Sequence, residues 1–145
     1  MRRDVPYSAE ADRILGHAAQ ECARLWRYYA GTEHLLLGLL ADEGNAAKTE
    51  LEAAGADLGS MRELVEEITG FGPPGDADDP VPYTRRAALV LKLAARAARR
   101  AGDGEIRGEH ILAGLRAERE GLAAQILARL GREDEFVHGL LPSGV

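Results

Sequence analysis

The chain has 145 residues, 46% of them apolar, and a formal net charge of −6; that length holds one compact unit with a real core. No apolar run approaches the roughly 18 residues of a membrane span, and an acidic chain is a poor general binder of nucleic-acid phosphates, so neither a membrane nor nucleic acid is expected as a partner. The charge is uneven: residues 1–70 carry 13 acids and seven bases, whereas residues 71–145 carry 11 of each.

The opening stretch, MRRDVPYSAEADRIL, has no apolar h-region and gives no secretory signal. Cys22 is the one cysteine, so no internal disulfide can form, and a reducing, cytoplasmic interior is expected. Ser8 stands where an N-cap should, and Ile14, Leu15, Ala18, Cys22 and Leu25 recur at helical spacing. A first helix is therefore predicted over about 8–26, with Cys22 as a core thiol. Thr32 is read as the N-cap of a second helix over 32–41, which carries EHLLLGLL. Third and fourth helices follow over about 45–54 and 57–69. The stretch GFGPPGDADDPVP, residues 70–82, reads as a linker.

Beyond it the pattern restarts. Thr84 caps a helix predicted over 84–101, in which Leu89, Leu91, Leu93 and Ala97 mark a less regular apolar face. Further helices are predicted over 108–118, 121–131 and 132–141. Arg85, Arg86, Arg96, Arg99 and Arg100 make this part locally basic, either as a solvated helix face or as a patch for an acidic partner. Strand signals are nearly absent.

The two halves are related at an offset of 76 residues: VPYS at 5–8 matches VPYT at 81–84, Thr32-Glu33-His34 matches Gly108-Glu109-His110, and LGLL at 37–40 matches AGLR at 113–116. EGNAAKTELEAAG at 43–55 matches EGLAAQILARLG at 120–131 with a slip of one residue. The expectation is an all-α fold of about eight helices: a first four-helix repeat over 1–69, a linker over 70–82 and a second repeat over 83–145.

The repeated Glu-His pair admits three readings. As a metal site, Glu33, His34, Glu109 and His110 supply nitrogens and carboxylates, but adjacent residues diverge by about 100° on a helix and lack the i, i+4 spacing of HExxH; His17 and His138 show no partner pattern. As structure, a first-turn Glu complements the helix dipole and the His bonds a nearby backbone carbonyl. As a recognition site, a carboxylate beside a helix N-terminus suits a ligand with a guanidinium and a phosphate close together.

The motifs YS…GTEHLLLGLL…EG and YT…GEHILAGL…EGLAAQIL, in this order and at this repeat length, closely resemble the double Clp N-terminal repeat that precedes the AAA+ rings of ClpC-type and ClpA-type unfoldases, the ClpC branch above all. The resemblance covers about residues 6–141. It implies two repeats related by a pseudo-twofold axis and a module that receives substrates and adaptors for a Clp protease, with no cofactor, metal or catalysis of its own. It implies phosphoarginine, a degradation tag, as ligand: Glu33 and Glu109 for the guanidinium, Ser8 and Thr84 for the phosphate, with Tyr7, Tyr83, Thr32 and Arg107 as accessory residues. Phosphoarginine-tagged or unfolded proteins, and a Clp unfoldase or its adaptors, are the implied partners. The second motif departs, with Arg107 and Gly108 where the family has Gly and Thr; Arg107 either adds phosphate affinity or occupies Glu109. Cyclic-peptide antibiotics bind across the paired repeat openings of mycobacterial relatives; Asp4, Asp12 and Ala88 hold the matching positions here and argue against that ligand. No G-x-x-x-x-G-K-[ST] phosphate loop occurs. The chain is therefore expected to lack the ATP hydrolysis of its ring-forming relatives and to be either a free-standing protein, the favoured reading, or a fragment of a large unfoldase, with a decoy or regulator that sequesters adaptors, tagged substrates or peptide antibiotics as the alternative role.

Overall fold

The computed structural model describes residues 4–72 and 81–130. Over these residues run seven helices: α1 (Ala9–Arg24), α2 (Thr32–Ala41), α3 (Ala46–Ala53), α4 (Leu58–Thr69), α5 (Arg85–Arg100), α6 (Gly108–Glu118) and α7 (Leu122–Arg129). The helix expected over 132–141, with His138, and residues 73–80 of the linker lie outside the described residues.

Helix starts follow the local chemistry. Ser8 and Thr84 accept hydrogen bonds from the backbone N–H of Ala11 (3.0 Å) and Ala87 (3.1 Å). Asn45 and Asp57 do the same for Lys48 (2.8 Å) and Ser60 (2.9 Å). The helices α5, α6 and α7 begin 76 residues after α1, α2 and α3. The slip expected in the third helix is therefore absent: the N-caps Asn45 and Gly121 are in register. The Glu-Gly letters at 43–44 and 120–121 match by composition only. Structurally Glu43 corresponds to Arg119, which takes a left-handed φ of 74° to end α6.

Two apolar helices form the centre. In α2, Leu35, Leu36, Leu37, Leu39 and Leu40 are all fully buried, and in α6 Ile111, Leu112 and Leu115 are buried. Each packs on the long helix of its own repeat, α2 on α1 and α6 on α5. Glycine makes the approach close: a Cβ at Gly38 would lie 2.6 Å from the Ile14 carbonyl oxygen, and one at Gly114 would overlap that of Val90. The face of α5 is accordingly built from Ala87, Val90, Leu91, Ala94 and Ala98; of the predicted row only Leu91 is buried, Leu93 and Ala97 are half-buried and Leu89 is exposed. Small residues face α6 because two backbones meet there.

The halves are also cross-packed. The α2 helix contacts α5 and α7, α6 contacts α1 and α3, and α2 and α6 meet each other. This reciprocal pattern is the pseudo-twofold arrangement of the double repeat.

Candidate functional site

The segments ahead of α1 and α5 change places. Tyr7 forms a parallel bridge with Ile106, and Tyr83 forms one with Ala30. The bonds are reciprocal: Ser8 N–H donates to the Ile106 carbonyl (2.9 Å) and Ile106 N–H to that of Pro6 (2.8 Å). Ala30 N–H donates to the Pro82 carbonyl (2.9 Å) and Thr84 N–H to that of Ala30 (3.0 Å). Each helix start is thereby delivered to the Glu-His motif of the other repeat. Thr84 stands with Glu33, and Ser8 stands on the Glu109 side. Tyr7 and Tyr83 are half-exposed, and burial raises both phenol pKa values, with Asp12 adding to the rise of Tyr7 and Tyr7 to that of Tyr83.

A cleft of about 790 Å³ opens beside Glu33. Its floor is made by the starts of three helices: Thr32 and Glu33 from α2, Thr84, Arg85 and Arg86 at α5, and Gly121 and Leu122 at α7. Helix starts present N–H groups and partial positive charge; here Ala87 N–H is taken by Thr84, Gly121 N–H by Glu118 and Ala123 N–H by Thr32. Glu33 is half-buried and makes no hydrogen bond or salt bridge among the described residues. Its carboxylate folds back over Gly31, where a Cβ would overlap it. Arg86 is tied to Glu118 (3.1 Å) and Glu120 (2.7 Å). One wall is aromatic: Trp26 and Tyr29 line the cleft, and Phe71 meets Trp26 edge-on at 6.1 Å. Trp26 takes a left-handed φ of 54°, where the second repeat has Gly102 at 74°; a bulky residue there is uncommon.

Glu109 lacks this setting. Arg107 replaces Gly31, which closes the space for a fold-back, and Glu109 is exposed. Arg107 reaches Asp103 (3.8 Å), not Glu109. The start of α6 is already in use: Gly108 N–H donates to Oε2 of Glu10 (2.8 Å).

Both histidines serve as caps. Nδ1 of His34 accepts from Gly31 N–H (2.9 Å) and Nδ1 of His110 from Arg107 N–H (2.8 Å). The expected bond to a backbone carbonyl is thus reversed, and the ring proton sits on Nε2. His110 Nε2 donates to Asp103 (2.7 Å). His34 Nε2 is buried without a partner among the described residues, and burial lowers the pKa of His34. No group of three or more His, Cys, Asp or Glu among the described residues is placed to hold a metal ion, and no helix among them is long and apolar enough to cross a membrane.

Thr32 is not an N-cap. Gly31 holds that place in α2, and Thr32 Oγ1 instead accepts from Ala123 N–H of α7 (3.2 Å). Gly121, the N-cap of α7, has no side chain and no room for one: a Cβ there would lie 2.6 Å from Thr32 Oγ1. At the matching junction the roles are exchanged. Asn45 caps α3 itself, and it is Gly108 that is tightly enclosed, a Cβ there lying 3.0 Å from Ile14 Cδ1 and 3.2 Å from Asn45 Oδ1.

Sequence reasoning noticed Arg85 and Arg86 only as part of a basic run, and it missed Glu10, Trp26 and Tyr29. The signal for Glu10 was present: at an offset of 76 it pairs with Arg86, a reversal of charge.

Residues 6–130 match the family model described as the Clp repeat (R) N-terminal domain. The chain is 37% identical over 127 residues to the chloroplastic chaperone protein ClpC of Pisum sativum, covering 88% of this chain and 14% of that protein. It is 38% identical over 126 residues to the chaperone protein ClpB of Oceanobacillus iheyensis, covering 86% of this chain and 15% of that protein. The chain thus spans about a seventh of the length of these relatives. Among solved structures it is similar to the N-terminal domain of the ClpD chaperone from Arabidopsis thaliana, with a TM-score of 0.69, 26% identity and coverage of 86% of this chain and 87% of that chain. A chain solved in work on a malarial protein secretion system shares the fold, with a TM-score of 0.68, 18% identity and coverage of 94% and 92%. With the exchanged segments, the paired central helices and the match over residues 6–130 all in agreement, the chain belongs to the Clp repeat N-terminal domain family.

Proposed function

We propose that the cleft beside Glu33 binds phosphoarginine on tagged proteins, and that the chain is a substrate- or adaptor-receiving module of a Clp chaperone–protease system without catalysis of its own. One observation carries the reading. A half-buried carboxylate without a hydrogen-bond or ion-pair partner among the described residues shares a cleft with the starts of three helices and with Arg85. A guanidinium pairs with the carboxylate in a planar fork, and a phosphate takes the helix-start amides and the arginine. The two halves of the cleft come from different repeats, Glu33 from the first and Thr84 with Arg85 from the second. The relatives are Clp chaperones by name, which supports the system in which the module works.

Calorimetric titration with phosphoarginine, with arginine and phosphoserine as controls, tests this. Phosphoarginine is expected to bind and the controls to be weaker by tenfold or more. Glu33→Ala abolishes binding, Thr84→Ala weakens it, and Ser8→Ala leaves it unchanged, because Ser8 is on the other side of the exchange. An absence of heat at millimolar phosphoarginine refutes the reading.

A further inference from the structure

We infer that Glu10 is a tethered ligand of the second motif, so that this double repeat has one open anion site rather than two; the inference rests on the reading of the first cleft given above. The offset of 76 sets Ser8, Ala9 and Glu10 against Thr84, Arg85 and Arg86, and Thr32 against Gly108. In the first cleft the start of α2 faces two arginines. At the start of α6 the same two places hold an alanine and a glutamate, and Oε2 of that glutamate accepts from Gly108 N–H at 2.8 Å. Gly108 is buried, with Ile14 and Asn45 within 3.0–3.2 Å of where a Cβ would stand, so its backbone is presented at close range.

Glu10 therefore does two things. It fills the place that an incoming oxyanion would take, and it sets a negative charge where the first cleft has Arg86, itself paired with Glu118 and Glu120. Being in the same chain, it competes at a local concentration that does not dilute. Exposed Glu109, with Arg107 turned to Asp103, is left without an anion site beside it.

The test uses the full chain and two probes, phosphoarginine and inorganic phosphate, read by calorimetric stoichiometry and by the Gly108 amide signal in proton–nitrogen spectra. In the wild type one equivalent of phosphoarginine binds, and the Gly108 amide is silent to both probes. In Glu10→Ala a second equivalent binds, the Gly108 amide moves with either probe, and the second-site affinity rises at least about tenfold. First-cleft affinity is unchanged. Adding Glu109→Ala removes the second equivalent and leaves the phosphate response. Glu10→Gln, which keeps an acceptor without the charge, lies between, and helical circular dichroism confirms that each variant is folded. A wild-type Gly108 amide that titrates with the first cleft overturns the inference, and so does a folded Glu10→Ala whose Gly108 amide ignores phosphate. If phosphoarginine fails on the wild type while Gly108 of Glu10→Ala still answers to phosphate, the tag reading falls and the tethered ligand stands.

Discussion

The Thr32–Gly121 junction can be exchanged for the Gly108–Asn45 junction, and the energies follow from the geometry. Thr32→Gly removes the hydroxyl that accepts from Ala123 N–H. Loss of such a cap costs about 1 kcal/mol, and glycine in the first turn adds roughly 0.5–1 kcal/mol. Gly121→Asn alone forces a Cβ to 2.6 Å from Thr32 Oγ1 and 2.9 Å from both Thr32 Cγ2 and Glu118 Oε1, an overpacking of roughly 1–3 kcal/mol. Together the changes recreate the other junction: the asparagine caps its own helix, as Asn45 does for α3, in the space vacated by threonine. The double variant is expected to lose no more than about 1 kcal/mol, a coupling of roughly 2–3 kcal/mol. Urea unfolding followed by helical circular dichroism measures all four proteins. Additivity of the two single changes to within about 0.5 kcal/mol would refute the argument that hydroxyl and glycine are complementary parts of one cap.

Further predictions follow from the packing and from two buried groups. Gly38→Ala and Gly114→Ala each place a methyl against a carbonyl oxygen of the neighbouring helix and should each lower stability by about 1–3 kcal/mol, read as the urea midpoint. Burial lowers the pKa of His34 from its ordinary 6.5, so the unfolded chain binds the proton first. The stability that neutral His34 contributes is present above pH 6.5 and declines as pH falls below it, by at most about 1.4 kcal/mol per pH unit. His34→Gln, which keeps an acceptor for Gly31 N–H, should flatten that limb of the stability–pH curve. Desolvation pushes the Cys22 thiol up to about 11, and its Sγ contacts the Arg27 carbonyl at 3.0 Å. A thiol reagent at pH 8 should therefore leave native Cys22 unlabelled and react only at the rate of opening; fast stoichiometric labelling of the native protein would contradict its placement.

The fold was legible because its signals are local. Ser8, Thr84, Asn45 and Asp57 sit at helix starts and act as caps there, and the duplication repeated the first of these signals, Ser8, as Thr84. Errors arose where a residue's partner is distant in the chain. Thr32 has the letters of an N-cap, yet its hydroxyl serves a helix 91 residues away. The leucines of α5 suggested an apolar face, but only Leu91 is buried in it, and the glycine opposite selects small residues around it. The site residues Glu33 and Thr84 were legible as types in a motif, whereas their union was not. It depends on backbone bonds between Ala30, Pro82 and Thr84, and such pairing is indifferent to side chains and leaves no periodicity to read. Glu10 needed the same knowledge: only once Ser8 is beside Ile106 does the carboxylate two residues on reach Gly108.

The exchange of segments has a consequence for how such a protein can diverge. Two separate copies of a single repeat, lending each other the stretch before their long helices, would make a symmetric dimer in which every sequence change appears in both clefts at once. Fusion into one chain breaks that identity. Glu10 and Arg86, or Gly31 and Arg107, occupy equivalent places and yet differ, so one cleft keeps arginines and a carboxylate unpaired among the described residues while its twin is stoppered from within. The covalent joint thus frees each half to specialise, while the exchanged segments keep both halves bound in one folding unit.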